Sequence, residues 1–303
     1  MRLGDNLGLA KAYRLLAHGY ASIGKSIKER EAAEQAIEFV RRAGDERLEA
    51  KILRLYCVIL FWGPTPLDEV VRRNQEALNW ARPRGLYTLE AGALGILARA
   101  AAMRGDFAQA RKLTSEARLL ITDVGELLTV AYDSISEGLI ELLAGDADAA
   151  IRALQRGYEA LERRGGRSPL AVVAANLARA FILKEQYDDA ERLVDVCRKV
   201  ATESQLDTQI KWRALNAVVL ARRGAFHEAE ALAKDAVAFA ERSEQLDSQA
   251  EALADLADVL QRAGAPEAAT EYAERALQLY ELKGNLVAAS RVRRWLGQLP
   301  AGR

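Results

Sequence analysis

An eight-residue stretch, Gly19-Tyr20-Ala21-Ser22-Ile23-Gly24-Lys25-Ser26, satisfies the phosphate-binding pattern G-x-x-x-x-G-K-[ST] in full. In that chemistry the backbone amides of a glycine loop converge on phosphates, the lysine reaches the outer phosphates, and the hydroxyl holds magnesium. Leu119-Leu120-Ile121-Thr122-Asp123 adds an apolar run ending in an aspartate, the shape of the second half of such an ATPase site. The chemistry requires a β-strand feeding the loop. Here Leu9, Tyr13, Leu16, Ala17 and Tyr20 have helical spacing, which places Gly19 inside a helix, Gly24 at a helix–helix turn and Asp123 at a helix end. A helix interior cannot cradle a phosphate, so segment 19–26 stands only as a weak ATPase alternative.

Other reactive groups are sparse. The two histidines, His18 and His227, lie far apart with no cysteine or carboxylate at a metal-ligand spacing. His18 is expected to be a packing residue and His227 a solvated turn residue. No G-x-S-x-G nucleophile elbow occurs. Carboxylates such as Glu228, Glu230 and Asp235 sit beside basic residues at the spacing of a solvated helix face. The expectation is a protein with no catalytic residues, no cofactor and no metal.

The elements that position these residues follow from a repeat. Gly105-Asp106-Phe107 leads to Ala110, Gly145-Asp146-Ala147 to Ala150, Glu185-Gln186-Tyr187 to Ala190, Gly224-Ala225-Phe226 to Ala229, and Gly264-Ala265-Pro266 to Ala269. The marked alanines are spaced 40, 40, 39 and 40 residues apart. Stepping back by the same period reaches Val70, after Gly63-Pro64-Thr65-Pro66, and Arg30, after Gly24-Lys25-Ser26. Before each turn runs a helix A, as in Leu253, Leu256, Ala257 and Leu260. After it runs a helix B, as in Ala229, Ala233 and Ala236. Breakers such as Gly44-Asp45, Pro83-Arg84-Gly85 and Gly284-Asn285 stop helix B.

Seven units follow, approximately 6–44, 45–84, 85–124, 125–166, 167–205, 206–245 and 246–284, with a capping helix over 285–299. A lone hairpin cannot bury its apolar faces, but stacked hairpins can, so the array predicts an all-α fold, a right-handed α-solenoid with a concave face. Arg291, Arg293 and Arg294 suit the solvated face of the terminal cap. The first helix has no evident cap, and an uncapped solenoid end makes self-association an expectation.

Composition agrees. Ala (57) and Leu (43) make up a third of the 303 residues, and both are strong helix formers. The 43 basic and 43 acidic side chains balance, which argues against nucleic acid or an acidic membrane as partner. The longest apolar run, Leu55 to Trp62, is far shorter than the ~20 residues that span a bilayer. The N-terminal residues lack the apolar core of a signal peptide, so a cytoplasmic location is expected. Cys57 and Cys197 have no partner spacing and are expected as buried, reduced thiols.

The small-residue turn followed by an alanine resembles the tetratricopeptide repeat, with helices lengthened relative to that family's 34-residue unit. More narrowly, Tyr13-Arg14-Leu15-Leu16, Trp62-Gly63-Pro64-Thr65-Pro66, Trp212-Arg213, Ala221-Arg222-Arg223-Gly224 and Tyr280-Glu281-Leu282-Lys283-Gly284-Asn285 resemble a particular region. It is the C-terminal helical-repeat arm of bacterial regulators that carry a class III adenylate or guanylate cyclase domain and a STAND-type ATPase domain. The resemblance implies a regulatory arm that binds a protein or peptide, with a cyclase or STAND ATPase domain as one such partner. It also implies that helix A positions line the groove: Arg14, Gly95, Arg99, Ala175, Arg179, Lys211, Ala214, Asp258 and Gln261. The basic members suit carboxylates of a partner, since arginine pairs with them bidentately. Trp212 is expected between hairpins rather than on a partner. Two function classes stay open: a non-catalytic interaction scaffold, and a solenoid that senses a small molecule.

Overall fold

A computed structural model describes residues 5–120, 126–164, 167–202 and 205–298. Among them the chain forms seven helical hairpins and a final helix: α1 (Asn6–Ser22) with α2 (Ser26–Ala43), α3 (Glu46–Trp62) with α4 (Leu67–Ala81), α5 (Tyr87–Arg104) with α6 (Phe107–Leu120), α7 (Glu126–Ala144) with α8 (Ala147–Arg164), α9 (Arg167–Leu183) with α10 (Tyr187–Val200), α11 (Leu206–Arg222) with α12 (Phe226–Glu241), α13 (Leu246–Arg262) with α14 (Pro266–Lys283), then α15 (Leu286–Leu296). No described residue is in a strand, and no described helix is long and apolar enough to cross a membrane.

Alanine sets the packing within a hairpin. Ala110, Ala150, Ala190, Ala229 and Ala269 are all 0% exposed, because each meets the preceding helix where the two axes approach. A longer side chain there forces the helices apart, at about 1–3 kcal/mol for an overpacked site. Across hairpins, from α3 to α13 each odd helix packs on the next odd helix, as α3 does on α5 and α11 on α13, whereas successive even helices show no comparable packing. The odd helices therefore form the tight inner layer and the even helices the splayed outer one, which is what curves a solenoid.

The curvature brings the two ends of the array edge to edge. Turns of the early hairpins meet the junctions of the late ones, and each meeting satisfies a helix terminus. Lys25, at the N-cap of α2, makes no side-chain cap bond. The cap comes instead from Glu244, whose Oε2 accepts the Ile27 amide at 2.7 Å while its own amide donates to the Gly24 carbonyl at 3.2 Å. A Cβ built on Gly24 would stand 2.7 Å from Leu206 Cδ1, so only glycine fits this approach.

At the next hairpin, Lys283 is wholly buried and its ammonium donates to the carbonyls of Phe61 at 2.6 Å, Gly63 at 2.8 Å and Thr65 at 2.9 Å. Arg291 Nη2 donates to the Leu142 and Leu143 carbonyls at 2.9 and 2.5 Å. A carboxylate thus lies at one helix N-terminus and two cations at helix C-terminal carbonyls, the sense that complements the helix dipole.

Three expectations change here. Asp5 caps α1, accepting the Gly8 amide at 2.7 Å. Arg291 is engaged in the end-to-end seam rather than merely solvated. His18 is exposed, because its position on α1 faces away from α2's alanines, and it packs no core. Asp123 lies outside the described residues.

Candidate functional site: the inner face

The residues expected to line the groove sit on odd helices, in register with the turns. Arg99 and Arg179 each lie six residues before the left-handed residue that ends their helix, Gly105 and Glu185 respectively. Asp258 holds the same place before Gly264. All three share one register, yet their surroundings differ.

Arg179 reaches across the curve to α13. Its Nη1 and Nη2 donate to Asp255 Oδ1 and Oδ2 at 2.7 and 2.6 Å, and Nη2 also meets Glu251 Oε1 at 3.0 Å. Burial opposes the Arg179 charge, but the Asp255 and Glu251 carboxylates outweigh it and hold the guanidinium above its ordinary pKa. Burial raises the Asp255 carboxyl, with Arg179 pulling it back. Lys211 Nζ pairs with Asp207 Oδ2 at 2.9 Å; burial works against its ammonium, and Asp207 with Glu251 more than restores it. Tyr280, buried on α14, has its hydroxyl pushed up by burial and by Glu251, Asp247 and Asp255. Asp258 is shared between Arg222 Nη2 and Arg262 Nε, each at 3.1 Å.

Arg99 is different. Its guanidinium lies 4.6 Å from the Phe61 ring centroid and 5.4 Å from that of Trp62. No hydrogen bond or ion pair engages it among the described residues, and its Nε is buried without a partner. Burial, with no carboxylate to offset it, lowers its pKa to about 10. Arg14 Nε is likewise buried and unpaired. Thus the structure gathers Arg179, Lys211, Glu251 and Asp255 into one internal network, engages Asp258 with arginines, and leaves Arg14 and Arg99 without acceptors.

Glu251, Asp255 and Lys283 were not singled out by spacing. Asp255 carried a signal, an acid set inside the apolar run Leu253, Leu256, Ala257 and Val259 and only 8% exposed. Trp212 packs partly buried beside the middle core, with Nε1 donating to Gln209 Oε1 at 3.1 Å and Arg213 stacked at 4.3 Å.

Elsewhere the chemistry is inert. Segment 19–26 is the end of α1, a turn with Gly24 at φ 72° and the start of α2, with no strand feeding it. Both thiols are free and buried, with burial pushing each up to about 12, where little thiolate exists at neutral pH. No group of three or more metal-ligating side chains occurs among the described residues. On the outside, an open groove of about 440 Å³ separates α4 from α6, floored by Leu78, Leu94 and Leu97.

The tetratricopeptide repeat family model matches residues 208–281. No curated protein matches the sequence. Among solved structures, a Rap protein complexed with Competence and Sporulation Factor shares 16% identity, with 92% of this chain and 77% of that one covered at a TM-score of 0.78. NprR in complex with its cognate peptide NprX shares 9%, covering 96% and 85% at a TM-score of 0.62. BtubC from P. vanneervenii shares 15%, covering 78% and 95% at 0.54. At these identities the likeness concerns the fold: the chain is a tetratricopeptide-like α-solenoid. Folds of this class are typical of protein- and peptide-binding scaffolds.

Proposed function

We propose that this chain is a non-catalytic scaffold whose inner face binds a peptide or an extended protein segment. The observation that carries the reading is the inner face itself. Odd helices concentrate buried charge there, and two arginines, Arg14 and Arg99, lack acceptors. The Rap and NprR neighbours, which match over most of this chain, are each described with a bound factor or peptide, which supports the same use of the fold here. The sequence resemblance to cyclase and STAND ATPase regulators supports a cytoplasmic signalling setting, in which a domain of that kind supplies the bound segment. The balanced charge favours no nucleic acid or membrane partner. A second reading, a small-molecule sensor, draws on the Phe61–Trp62–Arg99 cluster, where aromatic rings and a charged group meet.

The test is selection of a displayed random peptide library on the full chain, followed by calorimetric titration of the selected peptide. Gly95 stands at the register of Arg14, ten residues before its turn glycine, and a Cβ there meets nothing within 4 Å. Gly95→Trp should fill the groove, keep the helical content and weaken the peptide by about tenfold or more, a loss of roughly 1.4 kcal/mol. Equal affinity in both proteins would place the binding surface elsewhere.

A further inference from the structure

We propose that Arg99, on its floor of Phe61 and Trp62, is a socket for a carboxylate of the ligand. The proposal rests on the inner-face reading and specifies the chemistry that the ligand must carry. Three observations lead to it.

The first is the geometry of the guanidinium. Its centre lies over two rings, at 4.6 and 5.4 Å, that stand at 82° to each other. Aromatic faces attract the cation but offer its N–H donors no hydrogen-bond acceptor. Those donors meet no acceptor among the described residues, and the buried Nε is one of them. Arg99 is half-buried, and a buried donor with no acceptor is costly unless something supplies one.

The second is the comparison inside the same chain. Arg179 stands at the identical register, and both of its Nη groups are paired with Asp255 and Glu251 from two repeats further on. Asp255 and Glu251 stand nine and thirteen residues before the left-handed Gly264, and the same places before the left-handed Glu185, two repeats on from Arg99, hold Asn176 and Val172, neither of which carries a carboxylate. The repeat thus holds one guanidinium paired with carboxylates of its own chain and one whose equivalent counter-ion positions carry no carboxylate. A planar carboxylate is the group that restores the missing bidentate pair.

The third is the local charge. Lys283 Nζ lies 5.8 Å from the centroid of the same Phe61 ring, so two cations share that aromatic side chain. The ammonium is already engaged by backbone carbonyls. Its charge remains, and it adds to the attraction for an anion without competing for the acceptor.

The carboxylate has two sources, an acidic peptide or a free small acid, and the experiment separates them. Full-length wild type and Arg99→Met are titrated, by thermal melting and calorimetry, with succinate, with a random hexapeptide mixture bearing free C-termini and acidic residues, and with an amidated mixture lacking Asp and Glu. Wild type should be stabilised by a carboxylate probe and by the amidated mixture much less. Arg99→Met should melt a few degrees higher than wild type without ligand, since a buried unpaired charge is gone, and should lose about tenfold or more of its carboxylate affinity. A stronger response to the peptide mixture assigns the site to a peptide, and a stronger response to succinate assigns it to a small acid. Equal stabilisation of wild type and Arg99→Met, or no response of either protein to any carboxylate probe, overturns the proposal. If the library-selected peptide binds Arg99→Met as tightly as wild type yet is lost in Gly95→Trp, the socket is overturned while the inner face still stands. Arg99→Lys serves as the companion variant: it keeps the charge but not the flat, two-pronged edge, and should recover only part of the affinity.

Discussion

Glu185 holds the left-handed conformation, φ 59°, that glycine holds at the corresponding turns, Gly105 and Gly264 among them. A side chain there costs about 1–2 kcal/mol relative to glycine. Glu185→Gly should therefore stabilise the protein by about 1 kcal/mol in equilibrium urea unfolding, an effect confined to that turn. The mirror case is Gly19, in the last turn of α1, where an added Cβ meets nothing within 4 Å. Gly19→Ala should raise stability by about 0.5–1 kcal/mol, because alanine restricts the unfolded chain and favours helix. Loss of stability in Gly19→Ala would contradict the helical assignment of a segment whose letters spell a phosphate loop. At this scale the buried alanines were legible, since a small residue recurring every 40 positions has a local cause in helix contact. The partner of Arg179 was not. Asp255 lies 76 residues away, and what joins them is the curvature of the whole array, which no local spacing encodes.

Helix ends show the same division. Most hairpin boundaries could be read from Gly, Asp and Asn breakers, and Asp45 and Asn285 do cap their own helices. The N-terminus of α2 and the C-terminus of α3 could not, because their caps come from Glu244 and Lys283 in the last two hairpins. Burial lowers the Lys283 pKa to about 8, with Asp247 acting in opposition, so the ammonium is held against a desolvation cost by the carbonyls it serves. Removing it leaves three buried carbonyls unmet. Lys283→Met should destabilise the chain by about 2–4 kcal/mol and speed hydrogen exchange in two distant places, the end of α3 and the α14–α15 junction. Unchanged exchange at the end of α3 would show that the seam contributes nothing to holding the ends together.

The molecule as a whole is a curved array whose early turns rest on its late junctions, with a continuous inner layer of odd helices. That architecture follows from the 40-residue period, since hairpins of this kind bury their faces only by stacking. The degree of curvature, which closes the seam and sets Arg179 against Asp255, depends on the sum of small rotations between hairpins and emerges only in three dimensions. Two surfaces compete for a ligand: the inner face, and the outer groove of about 440 Å³ between α4 and α6. Hydrogen–deuterium exchange of the full chain with and without the library-selected peptide tests the central claim most directly. Binding on the inner face should protect α5, α9, α11 and α13 while leaving α4 and α6 unchanged. Protection concentrated on α4 and α6, with the odd helices unaffected, would contradict it.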